Sequence, residues 1–547
     1  MEMTGGEALA RQLALEGVSQ VFGVPGVQLD YALDGLAKLP DDPVRFVTTR
    51  HEQAASYMAD GSARSTGEVG VCVVVPGPGL LNASAGLATA YACSSPVVCV
   101  CGQIPSGAIG RGLGVLHEIP DQSGVLGSLT KWSGIASEVG QVPGLVREAF
   151  RQARAGRPRP VGVEVPPDVL EATGRVDLVQ PDGSAGDVAA GAVLPDPELL
   201  DKAASLLRSA RRPVIYAGGG AVGGNAGEPL RELAEALEAP VVMSPNGRGA
   251  LSDRHRLALT SVGGSRVLPD ADVVLVVGSR FITPRGTPVP TSADASVVLL
   301  GADPADLGDP REPALAVHGD ARLGLAGLLE RVDGLPTRPS RRSELEEVRR
   351  WCDEEIARLE PQASWVRALR SAIPEDGVLV AELTQVAYLT RAAYPVYGPR
   401  TYLGPGYQGT LGYGFPTALG AKAANPDRAV VSITGDGGFG YALPELATAR
   451  QYGIGVVTVV FDDSAYGNVR RDQRDKFGAR FIGSELRNPD FVALAGAFGI
   501  GAERATTPER LAAVLREALA AGEPFLVEVP VGEMPNPWGL LGRFGTP

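Results

Sequence analysis

Histidine and cysteine are scarce in this 547-residue chain, four of the first and five of the second. Cys72, Cys93, Cys99, Cys101 and Cys352 lie mostly in apolar, strand-like runs, where they read as small buried hydrophobes in a reducing compartment. Cys99 and Cys101 would share one strand face, and no second pair at zinc spacing accompanies them. An excess of basic charge is also missing. The formal net charge of −13 argues against nucleic acid or an anionic membrane as the main partner. No apolar run reaches the roughly 18 residues of a membrane span. The opening Met1-Glu2-Met3-Thr4-Gly5-Gly6 lacks the basic-then-apolar pattern of a signal peptide. These absences lead to the expectation of a cytoplasmic protein.

Glycine, by contrast, is abundant, with 71 residues, and hydrophobic residues make up 44%. At roughly 150 residues per domain the length calls for three or four domains. Short Val/Ile-rich runs alternate with Ala/Leu/Arg/Glu-rich helical stretches, which predicts parallel sheets covered on both faces. Linker-like composition at residues 180–195 and 333–343 predicts domains at 1–178, 190–335 and 355–547. Residues 70–103 and 429–462 align without a gap as strand, Gly-rich turn, helix carrying Leu-Ala-Thr-Ala, and strand. Both parts also close on Val-Glu-Val-Pro. The expected fold class is therefore α/β, with two related doubly wound parallel-sheet domains flanking a different middle α/β domain.

The repeat singles out a site. Pro76-Gly77-Pro78-Gly79 in the first copy corresponds to Gly435-Asp436-Gly437-Gly438 in the later one, and only the later turn carries a carboxylate. Ligands of parallel α/β sheets sit beyond the carboxyl ends of the strands. Asp436 follows a predicted strand over 429–434, and Asp463 follows the next, over 456–461. Two carboxylates one β-α-β unit apart suit Mg²⁺, which combines one or two of them with phosphate oxygens. The glycines admit a phosphate to backbone N–H groups at a helix start. A tight turn alone would explain Gly-Asp-Gly; its partner on the next strand end points to a metal.

With these motifs the chain resembles, over nearly its whole length, the thiamine diphosphate enzymes of the acetolactate synthase and pyruvate decarboxylase superfamily. The resemblance implies a pyrimidine-binding, a middle and a diphosphate-binding domain, in that order. It implies Mg²⁺ held by Asp436, Asp463 and the Ala465 carbonyl, although the family's Asn-Asn pair is here Asp462-Asp463. It assigns Thr384, Gln385, Gly435, Gly437, Gly438, Tyr466, Gly467 and Asn468 to the diphosphate, and Pro25 and Gly26 to the cofactor's other end. Glu52, alone at a helix start, would by itself read as a dipole partner. The family's matching glutamate instead hydrogen-bonds the aminopyrimidine, and a buried carboxylate with a raised pKa suits that proton relay. Leu411 matches the apolar wedge that bends the cofactor, and the Gly409 carbonyl would accept from the pyrimidine amino group. Glu52 and Asp436 of one site come from different subunits in this family, which implies a homodimer or homotetramer.

The cofactor makes the acyl-anion equivalent and the protein chooses its fate. No His-His pair of the kind used by aldehyde-releasing decarboxylases exists among His51, His117, His255 and His318. Local matches to acetolactate synthases, such as Val21-Phe22-Gly23-Val24-Pro25-Gly26 and Lys131-Trp132, lead to carboligation. The expected function is cleavage of a 2-oxo acid or vicinal diketone and transfer of the acyl unit to a second carbonyl compound. The departures fall on His117, Gln28 and Tyr31, where the family has glutamine, small and other residues. His117 and Gln28 are candidate catalytic residues, because imidazole is both acid and base near neutrality. The diketone-cleaving relatives, of the cyclohexane-1,2-dione hydrolase and acetylacetoin synthase kind, fit these polar groups. A 2-hydroxyacyl-coenzyme A lyase, a simple 2-oxo acid decarboxylase, and a non-enzymatic regulatory relic remain alternatives. FAD on the middle domain, at Gly218-Gly219-Gly220, is a further alternative, disfavoured because vestigial turns of this type recur in the family.

Overall fold

The computed structural model describes residues 1–41, 43–181, 191–334 and 336–542. Three six-stranded parallel sheets dominate it, with one short antiparallel pair, Glu2–Thr4 with Thr173–Arg175. The strands are short Val-rich runs buried along their length, such as Val273–Val277 and Val457–Asp462. Only a sheet covered on both faces needs such continuous apolarity.

The first sheet runs Arg45–Thr48, Gln20–Gly23, Gly70–Val74, Val97–Gly102, Val161–Val165, Ser133–Ile135. The third runs Tyr402–Leu403, Val378–Ala381, Val430–Gly435, Val457–Asp462, Phe525–Pro530, Gly501–Arg504. In chain order both read 2-1-3-4-6-5, so the internal repeat seen in the sequence is a repeat of topology. The middle sheet reads 3-2-1-4-5-6 and is a different fold.

The first and third domains share one hydrophobic core, which includes Tyr57, Met58, Tyr413 and Phe415. At its centre the helix Glu52–Thr66 crosses the helix Gly414–Ala424. A Cβ on Gly61 would lie 2.0 Å from the Thr417 carbonyl oxygen, and one on Gly420 1.9 Å from that of Met58. Two glycines thus bring the helices into backbone contact. This junction ties the helix that begins with Glu52 to the loop that carries Leu411.

Most of the expected linker at 180–195 falls on residues 182–190, outside the described residues. The stretch 333–343, described apart from residue 335, is pinned to the middle domain. Arg338 donates to the carbonyls of Ala210 and Leu207, and Arg341 to that of Pro213. Residue 355 lies within the helix Arg342–Ala357, which packs Leu345 and Val348 on the middle core and Trp351 and Ile356 on the third.

Candidate active site

The first half-site gathers at the carboxyl ends of four adjacent strands. After Gln20–Gly23 the chain passes Pro25 and Gly26 into a 3-10 turn that buries Gln28. After Arg45–Thr48 comes Glu52, the first residue of its helix, where His51 Nδ1 accepts from the Gln53 N–H. After Gly70–Val74 comes the turn holding Gly77 and Gly79, and the loop after Val97–Gly102 brings in His117. Glu52 Oε2 accepts from Asn82 Nδ2 at 3.0 Å, and Gly79 leaves room beside Oε1. His117 has a left-handed backbone (φ 68°), and its carbonyl lies where a Cβ on Gly77 would be, 2.2 Å away. The turn and the His117 loop therefore interlock at a position open only to glycine.

Gln28 Oε1 lies 3.1 Å from His117 Nδ1, so the two predicted catalytic polar groups do meet. Tyr31 does not join them; its hydroxyl donates to Glu171. The single chain leaves Glu52 half-buried rather than buried as the relay requires.

Beneath the turn lies a network that the sequence reading missed. Glu164 is 1% exposed and accepts from Gln103, Gln122 and Ser123, while Gln122 Oε1 accepts from the Gly77 N–H. Its only sequence signal was its place in the repeated Val-Glu-Val-Pro.

The second half-site lies at the matching end of the third sheet. Gly435 pairs in register with Phe461, so Asp436 and the pair Asp462-Asp463 leave neighbouring strand ends together. Asp436 is buried, and its pKa is pushed up to about 7 by burial, with the Asp463 and Asp462 charges adding to the rise. Burial likewise raises Asp463. A cation placed between these carboxylates would offset both their burial and their mutual repulsion. Asp462 turns aside: its Oδ1 accepts from Ser464 and from Asn488 Nδ2, which also donates to Asp436 Oδ2 at 2.6 Å. Asn488, unforeseen from sequence, locks one oxygen of Asp436. Ala465 is buried two residues after Asp463, whose Oδ1 accepts from its N–H.

Among the described residues no group of three or more His, Cys, Asp or Glu side chains forms a metal cage. Two carboxylates and a main-chain carbonyl fit Mg²⁺, which completes its octahedron with phosphate and water.

Glycines let the two strand-end turns pack closely. A Cβ on Gly467 would strike Asp463 Oδ2 at 2.3 Å, and one on Gly437 the Tyr466 ring at 2.6 Å. Thr384 and Gln385 begin the helix Gln385–Ala393, and Gly435 packs on Thr384. Asn468 Oδ1 accepts from Trp538 Nε1 of the C-terminal segment, which leaves its amide N–H groups to donate.

Glu382 was also missed. Fully buried, with its pKa raised to about 7 by burial, it accepts from the N–H groups of Gly412 (2.9 Å) and Gly414 (2.7 Å). A Cβ on Gly438 would sit 1.9 Å from its Oε1. One carboxyl thus ties the Asp436 turn to the loop presenting Gly409 (φ 58°) and half-buried Leu411.

Two glycine-guarded half-sites at the ends of duplicated sheets are what a cofactor held by both of its ends requires. Comparison with known proteins finds the same plan. Residues 3–125 match the thiamine pyrophosphate enzyme N-terminal TPP binding domain, 200–328 its central domain, and 383–529 its C-terminal TPP binding domain. This chain belongs to the thiamine pyrophosphate enzymes.

It is 34% identical to the probable acetolactate synthase large subunit of Methanocaldococcus jannaschii, over 96% of this chain and 92% of that one. It is 35% identical to the probable 2-ketoarginine decarboxylase AruI of Pseudomonas aeruginosa, over 96% and 94%. Acetolactate synthase isozyme 3 large subunit of Escherichia coli is 34% identical over 95% and 93%. The chain is thus an acetolactate synthase-like enzyme whose outer domains bind thiamine diphosphate (thiamine pyrophosphate). No described helix is long and apolar enough to cross a membrane.

The middle-domain motifs divide between packing and the lining of a cavity, which Gly219, Asn246, Gly278 and Arg280 border. Gly218 and Gly220 lie against Gly278, and Arg248 is a buried strut to the Arg391 and Tyr394 carbonyls. A cavity of roughly 1090 Å³ runs from Gly219 and Gly278 to Asn468 and Trp538.

Proposed function

We propose that this enzyme cleaves the carbon–carbon bond beside a carbonyl in a 2-oxo acid or vicinal diketone and transfers the acyl unit to a second carbonyl compound. The observation that carries the reading is the His117–Gln28 pair, locked onto the same Gly77–Gly79 turn that borders Glu52. Bound thiamine diphosphate supplies the acyl carbanion equivalent. Glu52 holds the proton at the aminopyrimidine nitrogen. Asp436, Asp463 and the Ala465 carbonyl hold Mg²⁺, and Thr384, Gln385, Tyr466, Gly467 and Asn468 receive the diphosphate. Leu411, the Gly409 carbonyl, Pro25 and Gly26 would contact the rest of the cofactor. Gln28 fixes the His117 ring, so that the protonated imidazole can give a proton to the oxygen of the acceptor carbonyl as the carbon–carbon bond forms.

Each of the other histidines is engaged elsewhere: His51 at a helix start, His255 with Glu235, and His318 with the Ala302 carbonyl. The reading takes thiamine diphosphate and Mg²⁺ as cofactors, leaves FAD out, and places the two half-sites of one active centre on different subunits of a cytoplasmic homo-oligomer. The lyase alternative acting on coenzyme A thioesters needs a basic clamp. The stretch Gly532 to Trp538, which could cover the site, holds no lysine or arginine, although Arg543 follows it in the sequence.

A second reading, release of the acyl unit as an aldehyde, is supported by the similarity to the probable 2-ketoarginine decarboxylase and by the proton His117 can deliver. Incubation with 2,3-butanedione, pyruvate and 2-ketoarginine, each followed by product identification, separates the two. Carboligation predicts acyl transfer products. Aldehyde alone from every donor would replace the first reading with the second.

A further inference from the structure

The helix Gly467–Phe477, which starts at the diphosphate half-site, carries three arginines near its beginning: Arg470, Arg471 and Arg474. Arg470 pairs with Glu485, and Arg474 with Asp475 and Glu533. Arg471 differs. It is 3% exposed and donates only to neutral acceptors, namely Gln385 Oε1, Asn468 Oδ1 (3.3 Å) and the Met534 carbonyl (3.2 Å). Among the described residues no carboxylate forms an ion pair with it. A buried guanidinium lacking an anion is costly. Burial accordingly pulls its pKa down.

Arg471 lines a cavity of roughly 250 Å³ together with Asp463, Gln385, Ala465 and Gly467. Asp463 and Arg471 therefore border one small space, whose other charged groups, Arg470, Arg474 and Glu533, are already in ion pairs. A divalent cation chelated by a diphosphate satisfies both. By accepting from Arg471, Gln385 is also turned so that its amide Nε2 points toward Gly467.

We propose that Arg471 is a diphosphate-binding residue: a fixed cation that pairs with the cofactor's phosphate oxygens and offsets the charge Asp463 adds where the family has asparagine. This rests on the diphosphate reading of Gln385, Asp463, Gly467 and Asn468.

The test uses cofactor-stripped full-length protein at saturating Mg²⁺. Thiamine diphosphate is titrated by calorimetry and by intrinsic tryptophan fluorescence, and inorganic pyrophosphate is titrated as a competitor. Arg471→Gln should weaken both ligands by a similar factor, about tenfold or more, as expected on losing a charge-assisted phosphate contact. Arg471→Lys should recover much of the loss. Should the glutamine variant not fold, Arg471→Met, which keeps the apolar stem, replaces it. Unchanged thiamine diphosphate affinity would overturn the proposal. So would a loss for thiamine diphosphate with pyrophosphate competition untouched, which marks Arg471 as a strut for the C-terminal segment. Wild-type protein that binds no thiamine diphosphate would sink the cofactor reading itself, a result distinct from a silent Arg471 variant.

Discussion

In the proposed site Asp436 and Asp463 hold Mg²⁺ as a pair, yet their substitutions should not be equivalent. Asp436 is the buried member, and Asn488 fixes one of its oxygens. Asp436→Ala should abolish thiamine diphosphate–Mg²⁺ binding, measured by calorimetry. Asp463→Asn keeps an oxygen ligand and should stay within about threefold of wild type, since one neutral oxygen still completes the Mg²⁺ shell.

The same residues set a pH dependence. Asp436 and Glu382 are each pushed up to about 7, above their ordinary values. A carboxyl whose folded pKa is raised contributes stability at low pH, and that contribution is lost as pH rises through the folded value. The cofactor-free protein should therefore lose melting temperature between about pH 4 and pH 7 from these two groups, and Glu382→Gln should flatten the slope. Mg²⁺ needs the ionised Asp436, so its binding should release protons near pH 6.5, visible as a buffer-dependent heat. A binding heat independent of buffer ionisation would contradict the assignment.

At the scale of elements, the junction of Glu52–Thr66 with Gly414–Ala424 decides whether the half-sites keep their geometry. Gly420→Ala must push the Met58 carbonyl aside, because neither partner is a flexible side-chain end. It should cost about 1–3 kcal/mol by overpacking, read from thermal or urea unfolding. Activity should fall with it, since the same helix positions Glu52. Gly438→Ala would press on buried Glu382 and detach the Leu411 loop from the Asp436 turn. These constraints were not legible in the chain. Gly61 and Gly420 look like ordinary helix glycines until the partner backbone arrives. Glu382 carries no motif in the sequence, and its role appears only when Gly412, Gly414 and Gly438 close around it.

On the scale of the whole molecule, the two half-sites sit on duplicated sheets, and Glu52 is only half-buried within one chain. In the proposed arrangement a second subunit supplies the rest. Mixing Glu52→Ala and Asp436→Ala proteins, each inactive, should then restore activity. With random pairing of dimers it should reach about a quarter of wild type, because only mixed dimers hold one intact site. No recovery after subunit exchange, with exchange verified by mass, would mean that each chain builds its own site.

The α/β class, the duplication, the Asp436–Asp463 pair and the Glu52 helix start were all readable from local pattern. A strand, a turn and a helix are encoded within a few tens of residues, and a repeated unit exposes its differences by alignment. The network under Gly77, the Glu382 tie, Asn488 between two carboxylates and the unpaired Arg471 were not readable. Each joins residues far apart in the chain through hydrogen bonds or burial, and only the packed structure determines which polar groups share a space closed to water.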